Sequence, residues 1–295
     1  MRACRRALSF VVLSQLILVP AAGALAGDRG DTIAFVREAD RRGIWLLRPN
    51  GGERRLTLEQ DYGPSWSPDG RHIVFQRFYA GRSDILVLNA DGSHLRVLTP
   101  RDGYYYHPSW SPDGARIVFG GFGSSRDGDG ELFVMDADGA NLAQLTDDQW
   151  EDTTPDWSPD GSTIAFASRR ERNYDLYLMD TDDTNERRLT RNEARDTSPV
   201  WSPDGSWIVF VSNRPRNDQD LFLIRPDGTG LERLTTNDAL DWAPAWSPDG
   251  TRVAFTRARY SSNRELIVVI DVRTRERTRI AISPSLELQP DWRPS

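Results

Sequence analysis

The sequence predicts an all-β protein, a six-bladed β-propeller of four-stranded antiparallel blades. Three observations carry this. Trp-Ser-Pro-Asp-Gly occurs at Trp66, Trp110, Trp157, Trp201 and Trp246, and a degenerate Trp-Arg-Pro-Ser stands at Trp292. Successive tryptophans lie 44 to 47 residues apart, with strand-like runs between turn signals. A fixed period in this range belongs to propeller blades and not to helical solenoids. Finally, the units at the two ends of the chain are each incomplete in a way that the other completes.

Each unit supplies four strands. The first carries the Trp. The second is an apolar-x-Phe run: Ile33-Ala34-Phe35, then its counterparts ending at Phe75, Phe119, Phe166, Phe210 and Phe255. The third is written IWLL, ILVL, LFVM, LYLM, LFLI and LIVV in the six units. The fourth ends in Leu-Thr at Leu56, Leu98, Leu145, Leu189 and Leu234, with Ile280-Ala281 in the last copy. Ser-Pro-Asp-Gly joins the first strand to the second. Proline presets φ at the second position of a type I turn, aspartate suits the third, and glycine takes the left-handed position that follows. The motif is therefore shape and carries no nucleophile or ligand set.

The first unit begins at Asp31-Thr32-Ile33 without a Trp strand, and Gln289-Pro290-Asp291-Trp292 is a Trp strand with no unit after it. Pairing the C-terminal Trp strand with the N-terminal unit closes the ring and removes open sheet edges.

Before the repeats stand a basic MRACRR, an apolar ALSFVVLSQLILVP and an Ala24-Leu25-Ala26 ending. These are the parts of a secretory signal peptide over residues 1–26, leaving 27–295 as the propeller. The apolar run is short for a bilayer span of about 20 residues. No membrane insertion is expected after cleavage, and the location is extracytoplasmic, periplasmic or secreted. Cys4, the one cysteine, lies in that segment, so the exported chain relies on its core and not on disulfides. All basic residues are arginine. Cleavage leaves 34 of them against 44 acids, a net charge of −10, which argues against nucleic acid and anionic membranes. A monomer is expected.

The pattern Pro-x-Trp-Ser-Pro-Asp-Gly-x-x-Ile-x-Phe, followed by Leu-Tyr/Phe-x-Met, Asp-Gly and Leu-Thr, resembles the WD40-like (PD40) repeat of TolB-type β-propellers. It covers nearly all of residues 31–295. TolB carries a further N-terminal domain, so the resemblance is to the propeller only. It implies the propeller fold and, by analogy, a protein-binding role. Related propellers cap prolyl-oligopeptidase and tricorn-type peptidases, but no Gly-x-Ser-x-Gly occurs in this chain.

Loops alternate between the two faces of such a ring. Ser-Pro-Asp-Gly and the short Asp91-Gly92, Asp138-Gly139 and Asp227-Gly228 turns share one face; longer, varied loops occupy the other, where binding residues concentrate. Five positions before each Trp stand Asp61, Tyr105, Asp152, Asp196, Asp241 and Glu287. Each carboxylate either anchors its loop through backbone N–H groups or joins a ring of negative charge at the channel mouth. The next position carries Tyr62, Tyr106, Thr153, Thr197, Trp242 and Leu288. With Tyr104, His107 and Trp150 these gather aromatics beside carboxylates, a surface suited to a protein segment or a sugar.

Arginines of the same loops, among them Arg77, Arg214 and Arg257, read as solvated rim charges. Asp127-Gly128-Asp129-Gly130-Glu131 has part of a calcium loop's composition without its twelve-residue ligand spacing, and reads as a polar hairpin. The three histidines occupy three different repeat positions, so no metal centre and no cofactor is expected.

Three functions compete: a non-catalytic protein- or peptide-binding module, a carbohydrate-binding propeller, and a metal-assisted hydrolase or lyase at the channel mouth. The even spread of carboxylates around the ring, without a converging set, favours the first. The export reading makes a direct prediction. Mass spectrometry of natively expressed protein should find Gly27 as the first residue, and a full-length chain in the cytosol would refute it.

Overall fold

The computed structural model describes residues 32–38, 42–123, 129–170, 173–182, 184–214, 218–236, 239–258, 265–280 and 287–294. The expected signal peptide lies outside the described residues. Among the described residues, twenty-four strands form six four-stranded sheets, all paired antiparallel. Blade 1 holds β1 (Ile33–Arg37), β2 (Gly43–Leu47) and β3 (Glu53–Arg55). Blade 2 holds β4 (Asp61–Trp66), β5 (His72–Tyr79), β6 (Arg82–Asn89) and β7 (Arg96–Val97). Blade 3 holds β8 (Tyr105–Trp110), β9 (Arg116–Gly121), β10 (Glu131–Asp136) and β11 (Ala143–Gln144). Blade 4 holds β12 (Asp152–Trp157), β13 (Thr163–Arg170), β14 (Asn173–Asp180) and β15 (Arg187–Arg188). Blade 5 holds β16 (Asp196–Trp201), β17 (Ile208–Ser212), β18 (Asp220–Ile224) and β19 (Glu232–Arg233). Blade 6 holds β20 (Leu240–Trp246), β21 (Arg252–Ala258), β22 (Glu265–Asp271) and β23 (Arg277–Arg279).

The last strand, β24 (Glu287–Trp292), is the inner strand of blade 1, pairing Ile33 with Trp292 and Arg37 with Glu287. Each Trp strand touches the next, from β4 through β8, β12, β16, β20 and β24 back to β4.

The repeated residues do the work expected of them. Phe35, Phe75, Phe119, Phe166, Phe210 and Phe255 are fully buried between sheets, each contributing about 1.5–3 kcal/mol of apolar burial. Tryptophans join neighbouring blades: the Trp110 indole N–H donates to Ser65 O and that of Trp246 to Val200 O, both at 3.2 Å. In each Ser-Pro-Asp-Gly turn the glycine N–H closes on the serine carbonyl, 2.8 Å from Gly70 to Ser67, and the glycine φ is positive, 63° at Gly70. The serine hydroxyl donates to the turn aspartate at 2.6 Å. At Asp113 and Asp160 this bond holds the carboxyl below its ordinary range. The threonine of each Leu-Thr accepts a third-strand N–H, as Thr99 does from Ile85 at 3.0 Å.

One feature of the Trp strands escapes the sequence pattern. Three positions before each Trp, the backbone is left-handed: φ is 56° at Gly63, 51° at His107, 49° at Thr154, 53° at Ser198, 49° at Ala243 and 50° at Gln289. Each precedes a proline. The inner-strand register slips beside these positions, between Tyr62 and Ser65 in blade 2 and at the matching point in blades 3 to 6. This is a β-bulge repeated round the ring, with the proline where the ladder needs no donor.

Closure generates a prediction. Deleting residues 287–295 strips blade 1 of its inner strand and opens an edge, so the truncated protein should unfold at a lower temperature and aggregate. An unchanged melting temperature and solubility would refute this.

Candidate functional site

The bulge decides which residues line the channel. In β4, β8 and β12 the first, fourth and sixth residues are buried and the second, third and fifth are partly exposed. A flat strand would alternate strictly. The extra residue shifts the phase, so the position five before each Trp joins the buried side. Asp61, Asp152, Asp196 and Asp241 are at most 1 % exposed, so of the two readings of these carboxylates the ring of exposed charge does not form among the described residues.

Three of these aspartates are paired with arginine from their own blade. Arg77 grips Asp61 with two bonds of 2.6 and 2.9 Å, and Arg257 grips Asp241 at 2.7 and 2.8 Å. Arg214 reaches Asp196 at 2.6 Å, assisted by the Asn192 amide at 2.8 Å. These arginines are therefore not solvated rim charges: their side chains are 12, 11 and 18 % exposed. These three aspartates anchor through guanidinium groups of the neighbouring strand or the loop just beyond it, where the sequence suggested backbone N–H groups. Glu287 begins β24 opposite Arg37.

Asp152 stands apart. The residue opposite it is Ser168, and Arg170, the counterpart of Arg214, turns to Asp148 at 3.2 Å and Glu186 at 2.6 Å. Neither Asp152 carboxylate oxygen meets a donor in hydrogen-bond geometry. Burial raises its pKa to about 7; the nearby hydroxyl of Ser168 only moderates the effect.

The aromatics divide. Tyr105 is not at the mouth but in the core of blade 3, edge-on to Phe119 and Phe133 at 5.6 and 5.8 Å. Tyr62, Tyr106, His107 and Trp242 are partly exposed, and His107 and Trp242 line the channel. Tyr62 packs edge-on to Phe78 at 5.4 Å, and Phe78 lies 6.0 Å from Tyr104. The Tyr62 hydroxyl donates to Glu38 at 2.7 Å; burial and that carboxylate raise its pKa to about 12. Tyr106 packs against His107 and Phe122 at 5.4 and 5.9 Å. Burial drives the His107 pKa down to about 4, so the ring is neutral near pH 7.

The channel itself, about 210 Å³, is walled by the residues just ahead of each Trp. Two carboxylates that sequence reading missed, Asp156 and Asp291, stand there one position before Trp157 and Trp292. Asp156 accepts from Ser109 Oγ and from the Trp201 N–H, both at 2.8 Å, and so joins blade 4 to blades 3 and 5. Asp291 accepts from the Trp66 N–H at 2.7 Å. Burial raises the Asp156 pKa to about 6. Burial, reinforced by the Asp156 charge, raises that of Asp291 to about 7. The signal was in the sequence, since four of the six residues at this position are polar, Ser65, Ser109, Asp156 and Asp291.

A family model for the TolB β-propeller domain (PD40) matches residues 62–174 and 153–257. The chain belongs to the TolB β-propeller domain family. Among solved structures, TolB from Acinetobacter baumannii superposes with a TM-score of 0.79 and 25 % identity, over 91 % of this chain and 68 % of that one. A protein from Agrobacterium tumefaciens described as a TolB shares the fold at a TM-score of 0.69 and 22 % identity, over 91 % of this chain and 100 % of the other. The Tol-Pal system protein TolB of Nitratidesulfovibrio vulgaris is 40 % identical over 52 residues, 16 % of this chain and 12 % of that protein. The match thus spans about an eighth of this curated relative's length.

The TolB-like channel yields a pH prediction. A carboxyl whose folded pKa is raised binds its proton more tightly in the folded state, so stability falls as pH rises from about 4 to about 7. Asp291→Asn removes the titration and keeps an acceptor for Trp66. It should raise the melting temperature by roughly 2–4 °C at pH 8, the scale of about 1 kcal/mol in a domain of this size, and by little at pH 4. An equal effect at both pH values would refute the assignment.

Proposed function

We propose that this TolB-like propeller is an extracytoplasmic, non-catalytic module that binds a protein or peptide segment on its loop-rich face. The observation that carries the reading is the partly exposed aromatic run Tyr62–Phe78–Tyr104 beside the channel mouth, with Tyr106, His107 and Trp242 around it. Such rings offer apolar area with polar edges at low entropic cost, which suits protein recognition. A sugar site would need free carboxylates at the mouth, and Asp61, Asp196 and Asp241 are already held by arginine. An acid–base enzyme would need a converging titratable set on the axis; His107 is neutral, and Asp156 and Asp291 are engaged in joining blades. The signal-like N-terminus and the kinship with TolB, whose curated relative is named for the Tol-Pal system, support the location and the kind of partner.

The test is affinity capture from a periplasmic extract on immobilised protein, compared with a Tyr62→Ala, Phe78→Ala, Tyr104→Ala variant. The variant should remain folded by circular dichroism and retain at most a tenth of the captured partner. Undiminished capture would refute this surface. Binding to an oligosaccharide array with no captured protein would transfer the function to carbohydrate.

A further inference from the structure

Two regularities of the repeat fail together at the loop-rich end of the seam between blades 3 and 4; the second also lapses in blade 2, where Val97 stands at the arginine position and Asp84 meets Arg82 at 3.5 Å. The first is the pairing described above, in which Asp152 alone among the four described ring aspartates lacks its arginine. The second concerns the carboxylate that opens each third strand. In blade 4, Asp175 is held by Arg188 at 2.5 Å and Thr190 at 3.2 Å; in blade 5, Asp220 is held by Arg233 at 2.7 Å and Thr235 at 2.9 Å. In blade 3 the acid is Glu131, and Gln144 stands where the arginine would be. The Gln144 amide donates to the Thr146 carbonyl at 2.8 Å, leaving Glu131 only the Thr146 hydroxyl at 2.6 Å.

Two buried carboxylates without a cation therefore face each other across the seam. Asp148 joins them from the exposed rim, and one oxygen from each of Glu131, Asp148 and Asp152 lies within 4.8 Å of the others. Asp152 is fully buried, and neither of its oxygens meets a donor in hydrogen-bond geometry; the Ser168 and Thr146 hydroxyls and the Arg170 charge lie near enough only to moderate the cost of its burial. Beside it opens a groove of about 550 Å³ whose walls include Glu131 and Asp148 together with Asp102, Asp129 and Asp147. Arg170 touches only the rim member, Asp148. An uncompensated buried carboxylate is costly, and pairing with a metal ion removes that cost.

We infer that Glu131, Asp148 and Asp152 form a calcium site at the seam of blades 3 and 4. The all-oxygen donor set selects a hard cation over zinc or copper. Calcium accepts six to eight oxygens in irregular geometry, so three carboxylates and waters from the open groove meet its needs, whereas magnesium demands a near-ideal octahedron. The ion does here what arginine does for the ring aspartates of blades 2, 5 and 6, and ties blade 3 to blade 4. The site goes beyond the proposed partner surface and does not depend on it.

The test uses chelator-treated full-length protein titrated with calcium chloride, followed by calorimetry and thermal melting. One equivalent should bind, and the melting temperature should rise by about 5 °C at a hundredfold excess over Kd. Asp152→Asn and Glu131→Gln should each weaken calcium binding at least tenfold, and should melt at or above the wild-type temperature without calcium. Asp220→Asn, at the arginine-paired position of blade 5, should melt lower and keep the calcium response. Asp148→Asn, at the exposed rim, keeps the test decisive if the buried variants do not fold, and should also weaken binding. Absence of any calcium-dependent heat or thermal shift up to 10 mM overturns the inference. So does an unchanged response in these variants, or a magnesium response equal to that of calcium.

Discussion

Every inner strand turns on a left-handed residue before a proline, and the rest of the architecture follows from that bulge. A residue preceding proline favours extended backbone, and a non-glycine residue in the left-handed region costs about 1–2 kcal/mol. Five of the six positions accept this cost, including the β-branched Thr154. In return the strand leaves two consecutive residues partly exposed and sends the residue five before each Trp into the blade. Without the bulge, Asp61 and Asp241 would face the channel and their arginines would lack partners.

Burying an aspartate at the start of an inner strand makes electrostatic pairing a structural requirement. Blades 2, 5 and 6 meet it with arginine, whose planar fork suits bidentate contact with a carboxylate. Arg77 and Arg257 come from the residue opposite the aspartate, whereas Arg214 comes from two residues further on. The repeat therefore conserves the outcome and not the register. Where Arg170 is diverted to Asp148 and Glu186, and Gln144 replaces an arginine, the same logic breaks down at two adjacent points and leaves an acidic seam.

The channel is built differently from its mouth. Its carboxylates, Asp156 and Asp291, accept backbone N–H groups of the next blade's Trp strand. They fasten blades to one another, while the mouth aspartates fasten strands within a blade. A rigid ring results, and its variable chemistry is left to the loop-rich face, where the Tyr62, Phe78 and Tyr104 rings lie.

The sequence by itself determined the blade number, the four strands of each blade, the turn chemistry and the buried Trp and Phe positions. All of these rest on local signals repeated six times, and repetition averages away ambiguity. Tertiary structure alone decided the rest. Period-two reasoning cannot see a bulge, so the burial of Asp61, Asp196 and Asp241 was not legible, nor was the exposure of Asp156 and Asp291 to the channel. Tyr105 looked like a mouth residue because the same phase shift that buries the aspartates carries it into the core of blade 3. Which arginine reaches which acid depends on side-chain paths between residues 13 to 22 apart in sequence and on neighbouring strands. For that reason the isolation of Asp152 beside Glu131 appears only once blades 3 and 4 are packed together.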